Sequence, residues 1–152
     1  MSVISRIRFS TKQIVNVFII LSLACFLFQF GTTAEGAPVT TNYEAEDGDL
    51  NGSATVASKS IMSGGEYVRN IGNNSSNWAE ITVNAASSGN AAMAIRYVSG
   101  EARSLFWSVY GGSGASASLN SGNWNTLATH NTTVSLNSGN NTIRFYNIRL
   151  RP

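Results

Sequence analysis

The sequence predicts an all-β protein built as a sandwich of two antiparallel sheets, and three observations support this fold class. After Pro38, no stretch repeats apolar residues at the three- and four-residue spacing of an amphipathic helix. Short runs of alternating apolar and polar residues recur instead, at roughly the 8–12-residue spacing of sandwich strands. Clusters of Gly, Asn and Ser, which favour turns, separate these runs. Because each alternating strand has one apolar face, two packed sheets would bury those faces.

Ten strands are predicted in order along the chain. They are Thr41–Glu46, Ala54–Ala57, Tyr67–Asn70, Trp78–Val83, Ala91–Val98, Ser104–Tyr110, Ala115–Leu119, Trp124–Ala128, Thr133–Leu136 and Thr142–Tyr146. In the fourth strand, for example, Ala79, Ile81 and Val83 share the apolar face. About 115 residues are enough for one sandwich core, and neither a linker nor a long-period repeat divides them. We therefore expect a single domain over residues 40–152.

Residues 1–36 are predicted to form a secretory signal peptide, which implies a secreted, extracellular protein. A basic start precedes an apolar run at residues 14–30, and small residues follow it. The basic residues are Arg6, Arg8 and Lys12, and the candidate cleavage points follow Ala34, Gly36 and Ala37. This order is typical of a cleaved signal. The alternative is a retained membrane anchor, although the apolar run is slightly short for the roughly 20 residues of a spanning helix.

The charge and cysteine content of the chain argue against two classes of function. The whole chain has 10 basic and 8 acidic residues. Removing residues 1–36 takes away three basic residues and one acidic residue, which leaves seven of each. A chain with no net positive charge lacks the excess of basic side chains that binds a phosphate backbone, so a nucleic-acid partner is not expected. Cleavage would also remove Cys25, the one cysteine, and with it disulfide and thiol chemistry.

Few residues could carry catalytic or metal chemistry. His130, the one histidine, lies in a polar, turn-like stretch and is expected to be solvated rather than catalytic. Glu44 and Glu46 are two residues apart in a predicted strand, so their side chains would share a face. Three interpretations of this pair stay open: an exposed strand face, a site for a hard cation such as Ca²⁺, and, as third choice, a catalytic carboxylate pair.

Aromatic residues stand beside amide-rich loops at several places. Trp78 and Trp124 each follow a loop rich in Asn, Ser or Gly, and Tyr67 follows a pair of glycines. An aromatic ring can stack on the apolar C–H face of a sugar while neighbouring amides bind its hydroxyls. Core packing is the simpler interpretation for each ring taken alone, and for Trp107, inside an alternating strand, it is the preferred one.

Several motifs, taken with their order and spacing, resemble carbohydrate-binding module families 6 and 35, and family 35 most closely. They are Tyr43-Glu44-Ala45-Glu46-Asp47, Gly64-Gly65-Glu66-Tyr67-Val68, Asn77-Trp78-Ala79-Glu80-Ile81, Ser121-Gly122-Asn123-Trp124 and Asn140-Asn141-Thr142-Ile143-Arg144. The match runs from Tyr43 to about Tyr146. It implies a monomeric β-jelly-roll sandwich, with no stable membrane association once the signal is cleaved, that binds cell-wall or other polysaccharide without cleaving it.

The resemblance also implies two sites. A structural Ca²⁺ would be held by Glu44 and Glu46, with carbonyls from the loop 59–66. A sugar would lie between Tyr67 and Trp124, with Asn147 as a candidate for an amide that family members supply near the C-terminus. Family members have a second Trp three residues after Trp124, where this chain has Leu127.

The C-terminus departs most from the family pattern. Ile148-Arg149-Leu150 resembles the last strand with its preceding loop deleted, and no Asp follows Glu101, so the metal would lose a ligand. A sandwich without that strand would leave an open edge and uncovered apolar surface. Two other functions stay open: a small glycan-active hydrolase that uses Glu44 with Glu46, or Glu66 with Glu101, and a membrane-anchored surface or adhesion protein.

Overall fold

The computed structural model describes residues 2–11, 39–72, 74–110, 112 and 114–147, and it folds them into two packed antiparallel sheets. The strands are β1 Ser2–Thr11, β2 Val39–Glu44, β3 Asp49–Asn51, β4 Thr55–Ser58, β5 Glu66–Ile71, β6 Trp78–Ala85, β7 Gly89–Val98, β8 Arg103–Val109, β9 Gly114–Leu119, β10 Ala128–Leu136 and β11 Gly139–Tyr146. Single 3₁₀ turns occupy Ala45–Asp47 and Ser63–Gly65. The described residues contain no helix with the length and hydrophobicity of a membrane span.

The strands form a larger and a smaller sheet. The larger sheet has the order β10-β7-β1-β5-β4, and β2 also pairs with β1. The smaller sheet has the order β3-β6-β11-β8-β9. All of these pairs are antiparallel. The predicted fold class, an all-β sandwich of two antiparallel sheets, is therefore confirmed.

The core lies between the sheets, where alternation directs every second side chain. Ile95 on the larger sheet and Leu105, Ile143 and Phe145 on the smaller sheet are fully buried. Trp107 is buried as predicted, at 3% exposure. Each side chain of this size stabilises the fold by about 1.5–3 kcal/mol through its burial, so the alternation seen in the sequence is what holds the sheets together.

Strand β1 consists of residues that the sequence analysis gave to the basic start of a signal peptide. Arg6 and Arg8 alternate there with Ile7 and Phe9, which are 0% and 5% exposed. Cations alternating with apolar residues suit a strand with one face in the core as well as they suit a basic leader. The apolar run and the candidate cleavage points lie outside the described residues, and the signal peptide stays a prediction.

Strand β1 lies inside the larger sheet. It pairs with β7 along one side, and with β5 and then β2 along the other. The larger sheet is therefore continuous from β10 to β4. The predicted last strand, at residues 148–150, lies outside the described residues.

The local predictions for Trp124 and His130 were wrong. Trp124 lies in a turn rather than a strand, because the Asn123 side chain accepts a 2.7 Å hydrogen bond from the Asn125 amide and bends the chain. Strand β10 begins at Ala128, so His130 lies within a strand and its ring packs 5.7 Å from that of Trp107, centre to centre, instead of lying in a solvated turn.

Candidate functional site

Two loops at one end of the sandwich are joined to each other. The loop after β7 begins at Ser99, and the loop after β9 contains Ser121. The backbone amide of Ser121 donates to the Ser99 carbonyl at 2.9 Å, and the Ser99 amide donates to Ser121 Oγ at 2.8 Å. We call this end, with the loops 99–102 and 120–127, the rim. Reciprocal bonds of this kind fix the loops against one another, so side chains on them are held in place.

Trp124 lies on the rim with 39% of its surface exposed. Its indole rests directly on the backbone at Gly100, where an added Cβ would come within 2.4 Å of Trp124 Nε1. The Arg103 guanidinium carbon lies 5.9 Å from the ring centre. Glycine is thus required at position 100 for the ring to pack there, and the result is a fixed, partly exposed aromatic surface.

Tyr67 lies beside the rim, on the outward face of the larger sheet. It is half-buried and, together with Leu127, packs against the buried pair Met62 and Val98. Val98 is two residues before Gly100, the residue that supports Trp124. The two rings, distant in sequence, therefore lie at the same end of the molecule and are linked by the end of β7.

Asn147 follows β11 at this same end and is half-buried. Its Nδ2 donates a 2.6 Å hydrogen bond to the Ser104 carbonyl at the start of β8. Its Cβ lies against Gly72, where an added Cβ would be 2.6 Å away. Asn147 therefore ties β11 to the neighbouring chain segments.

Glu44 and Glu46 lie close together but not on one strand face, because β2 ends at Glu44 and Glu46 belongs to the 3₁₀ turn that follows. Glu44 Oε1 accepts hydrogen bonds from Arg6 Nε at 2.8 Å and from Ser63 Oγ at 2.9 Å. Glu44 Oε2 and Glu46 Oε2 are both buried without a hydrogen-bond partner. Buried carboxylate oxygens without partners are costly unless a cation or donor reaches them.

Burial raises the pKa of the Glu46 carboxyl above its ordinary value, and the nearby charges of Glu44, Asp47 and Glu66 raise it further, against a lowering by a backbone hydrogen bond. The carboxylates and the loop carbonyls are the hard oxygen donors that Ca²⁺ prefers, so the chemistry of these residues fits the ion. The Arg6 guanidinium, which is paired with Glu44, already places one positive charge beside this carboxylate. In the described part of the chain, no cluster of three or more His, Cys, Asp or Glu side chains has a metal-binding arrangement.

No family sequence model and no curated protein sequence matches this chain. Solved structures do match it. A family 35 carbohydrate-binding module from Clostridium thermocellum is 38% identical, with a TM-score of 0.67, over 70% of this chain and 85% of that chain. An exo-β-1,3-galactanase from Phanerochaete chrysosporium, solved with β-1,3-galactotriose, is 32% identical, with a TM-score of 0.62, over 68% of this chain and 24% of that chain.

A third structure is that of Xyl-CBM35 in complex with a disaccharide containing glucuronic acid. It is 25% identical, with a TM-score of 0.53, over 64% of this chain and 72% of that chain. Identity and coverage are highest with the Clostridium module among these three. On that likeness, this chain belongs to family 35 of the carbohydrate-binding modules.

Proposed function

We propose that this chain is a secreted, noncatalytic module that binds polysaccharide by stacking a sugar between Tyr67 and Trp124. Family membership supports the saccharide ligand. The observation that carries the site is the Trp124 ring, which is held on Gly100 and remains 39% exposed at the end where Tyr67 also lies. A ring fixed before the ligand arrives loses little entropy on binding.

The rim also offers hydrogen-bonding groups for sugar hydroxyls. Asn123 and Asn125 flank Trp124 and are exposed, and amide side chains both donate and accept. Asn147 is the third amide side chain that we propose binds the sugar at the rim, and its hydrogen bond to the Ser104 carbonyl fixes its orientation. Loop side chains of this kind would decide which sugar is selected among galactan, mannan, xylan and uronic-acid polymers.

A structural Ca²⁺ at Glu44 and Glu46 is part of the proposal. The two buried carboxylate oxygens without partners support it, and so does the raised pKa of Glu46, which reflects first burial and then the negative charge of the neighbouring carboxylates. When bound, the ion would neutralise this charge beside the loop that contains Ser63 and so would stiffen the frame around Tyr67.

We also propose that this chain has no catalytic activity. Glu44, one member of the carboxylate pair, accepts a hydrogen bond from Ser63 Oγ, and a second from Arg6 when residues 2–11 are present. A carboxylate held in this way is poorly placed to act as a base or a nucleophile. Release of reducing ends from plant or microbial polysaccharides, lost in Glu46→Gln, would contradict a purely binding role.

A glycan array followed by calorimetry tests the sugar site. Tyr67→Ala and Trp124→Ala should each weaken binding about tenfold or more, equivalent to about 1.4 kcal/mol. Tyr110→Ala is the matched control, because this ring is 84% exposed but follows β8 at the opposite end of the sandwich. Unchanged binding in both rim variants would refute the assignment. Thermal melting with calcium and with chelator tests the metal, and equal melting temperatures would refute it.

A further inference from the structure

Several triplets in the chain match the acceptor motif for N-linked oligosaccharides, Asn-X-Ser or Asn-X-Thr with X other than Pro. They begin at Asn51, Asn73, Asn74, Asn131 and Asn140. In a protein that passes through a eukaryotic secretory pathway, such a triplet on the surface can receive a glycan. Asn73 lies outside the described residues. Since secretion is part of the proposed function, the surroundings of the other four decide which one the fold presents for this modification.

Three of these asparagines stabilise local structure through their side chains. Asn51 Nδ2 donates to the Ser76 carbonyl at 2.7 Å, and Asn74 Oδ1 accepts from the Ser76 amide at 2.8 Å. Asn140 Oδ1 accepts from Asn84 Nδ2 at 2.8 Å. A glycan on any of them has to be accommodated around an existing hydrogen bond of the fold.

Asn131 has a different environment. It is exposed on the outward face of β10, and among the described residues its side chain forms no hydrogen bond. The residue directly opposite on β7 is Ala94, whose methyl group leaves space beside the amide. Thr133, which supplies the hydroxyl of the acceptor triplet, is exposed on the same face of the strand. The fold therefore presents this amide to solvent with room for a bulky substituent.

Strand β10 is one end of the larger sheet, and among the described strands it pairs only with β7. It is nine residues long and contains no Lys, Arg, Asp, Glu or Pro, the residues that commonly protect an edge. The strands at the other sheet ends, β3, β4 and β9, have three, four and six residues. A long uncharged edge is a template for pairing with another chain. Because Asn131 is the fourth of the nine residues, a glycan there would stand near the middle of the edge and block a second strand.

We propose that Asn131 carries an N-linked oligosaccharide in the secreted protein, and that this glycan keeps β10 from pairing with a second copy of the chain. The donor is an oligosaccharide joined to a lipid through a diphosphate. Asn131 Nδ2 bonds to the anomeric carbon of the first sugar, the bond from that carbon to the diphosphate oxygen breaks, and a base of the transferase takes one amide proton. The lipid diphosphate leaves with the bonding electrons. This modification rests on the proposed secretion and is independent of the sugar site at the rim.

Expression of the full chain in cultured eukaryotic cells tests the site, with peptide mass spectrometry of medium and cells before and after enzymatic removal of N-glycans. Wild type and Thr133→Ser, which keeps the hydroxyl, should carry sugar on Asn131, whereas Asn131→Gln and Thr133→Ala should lose it. Trp124→Ala should keep it, whatever happens to binding at the rim. Secreted wild type without sugar on Asn131 would overturn the modification. A glycosylated chain that stays in the cells would support the modification and contradict the proposed secretion, and an unglycosylated chain there would overturn both.

Light scattering during size-exclusion chromatography tests the role of the glycan. Wild type should have the mass of one glycosylated chain, whereas Asn131→Gln and Thr133→Ala should shift to the mass of two or more chains as the concentration rises. Thr133→Lys also loses the acceptor triplet but places a charge on the edge, so it should stay monomeric.

Asn140→Gln is the matched control, because it removes a triplet on β11, an inner strand of the smaller sheet, and it should stay monomeric. Equal association of Asn140→Gln would indicate a general effect of glycan loss. Monomeric Asn131→Gln and Thr133→Ala would show that β10 needs no protection. Either result would overturn the role proposed for the glycan.

Discussion

The outward faces of the two sheets both present arginines from inner strands, but they use them differently. On the smaller sheet, Arg144 of β11 donates from Nε to Glu80 Oε1 at 2.6 Å, and its guanidinium carbon lies 4.4 Å from the centre of the Trp78 ring. On the larger sheet, Arg96 faces Arg6, and within the described residues it has no acidic partner. An arginine thus contributes to the fold on one face, and on the other it lies opposite a like charge.

The side chains around the two arginines also differ between the faces. The outward face of the smaller sheet is covered by its own large side chains, with the rings of Phe106 and Tyr146 stacked 5.8 Å apart. The outward face of the larger sheet has alanine at positions 92 and 94, which leaves open a groove between Arg8 and Arg96. A face filled by its own side chains is stabilised by their contacts, whereas a face of small residues with facing arginines has fewer contacts and a local repulsion.

The largest effect should come from breaking β1, on which the open face depends. Ile7→Ala removes a fully buried side chain and should lower the free energy of unfolding by about 2–5 kcal/mol in chemical denaturation. Val39→Ala, on a residue of β2 that is 51% exposed, is the control and should change it little. Equal, small effects would show that residues 2–11 are not part of the folded sheet, as expected if the signal peptide is removed.

A smaller effect on stability should distinguish Arg144 from Arg96. Arg144→Gln removes a partly exposed ion pair, worth up to about 1 kcal/mol, and a cation–π contact worth about 0.5–1 kcal/mol. We expect a loss of about 1 kcal/mol from the free energy of unfolding. Arg96→Gln should cause no loss, because it relieves repulsion from Arg6. Equal losses measured side by side would contradict the distinction between the faces.

The sequence predicted the fold better than it predicted the site. Alternation in Ala79, Ile81 and Val83 identified β6 and its buried face, and this local pattern was enough to establish the sandwich. The pattern Arg6-Ile7-Arg8-Phe9 is compatible with both a leader and a strand, because the strand depends on pairing with the distant segments β7 and β2. The local sequence contains no such long-range information.

The same limit explains what was missed at the site. The opposition of Arg6 and Arg96 and the ion pair of Arg6 with Glu44 arise from strand register between distant segments, so neither could be seen while Arg6 was assigned to a leader. The resemblance to the family named Tyr67 and Trp124 as the sugar-binding pair, because both match its motifs, whereas their glycine-rich loops alone favoured core packing. That they lie at one end follows from the packing of Val98 and Gly100, which composition does not reveal.

The smallest effect should come from Glu46, the carboxylate beside the larger sheet that Arg6 does not neutralise. Its pKa in the folded protein is raised above the ordinary 4.5, first by burial and then by neighbouring carboxylates. A raised carboxyl pKa contributes stability that is fully present below the unfolded value and is lost as the pH rises through the folded value. With chelator present, wild type should therefore lose stability relative to Glu46→Gln as the pH rises from about 4 towards 7. Saturating calcium should reverse this trend, because the ion binds the ionised carboxylate. Parallel denaturation curves for the two proteins across this range, with and without calcium, would show that the charge on Glu46 is already compensated within the fold.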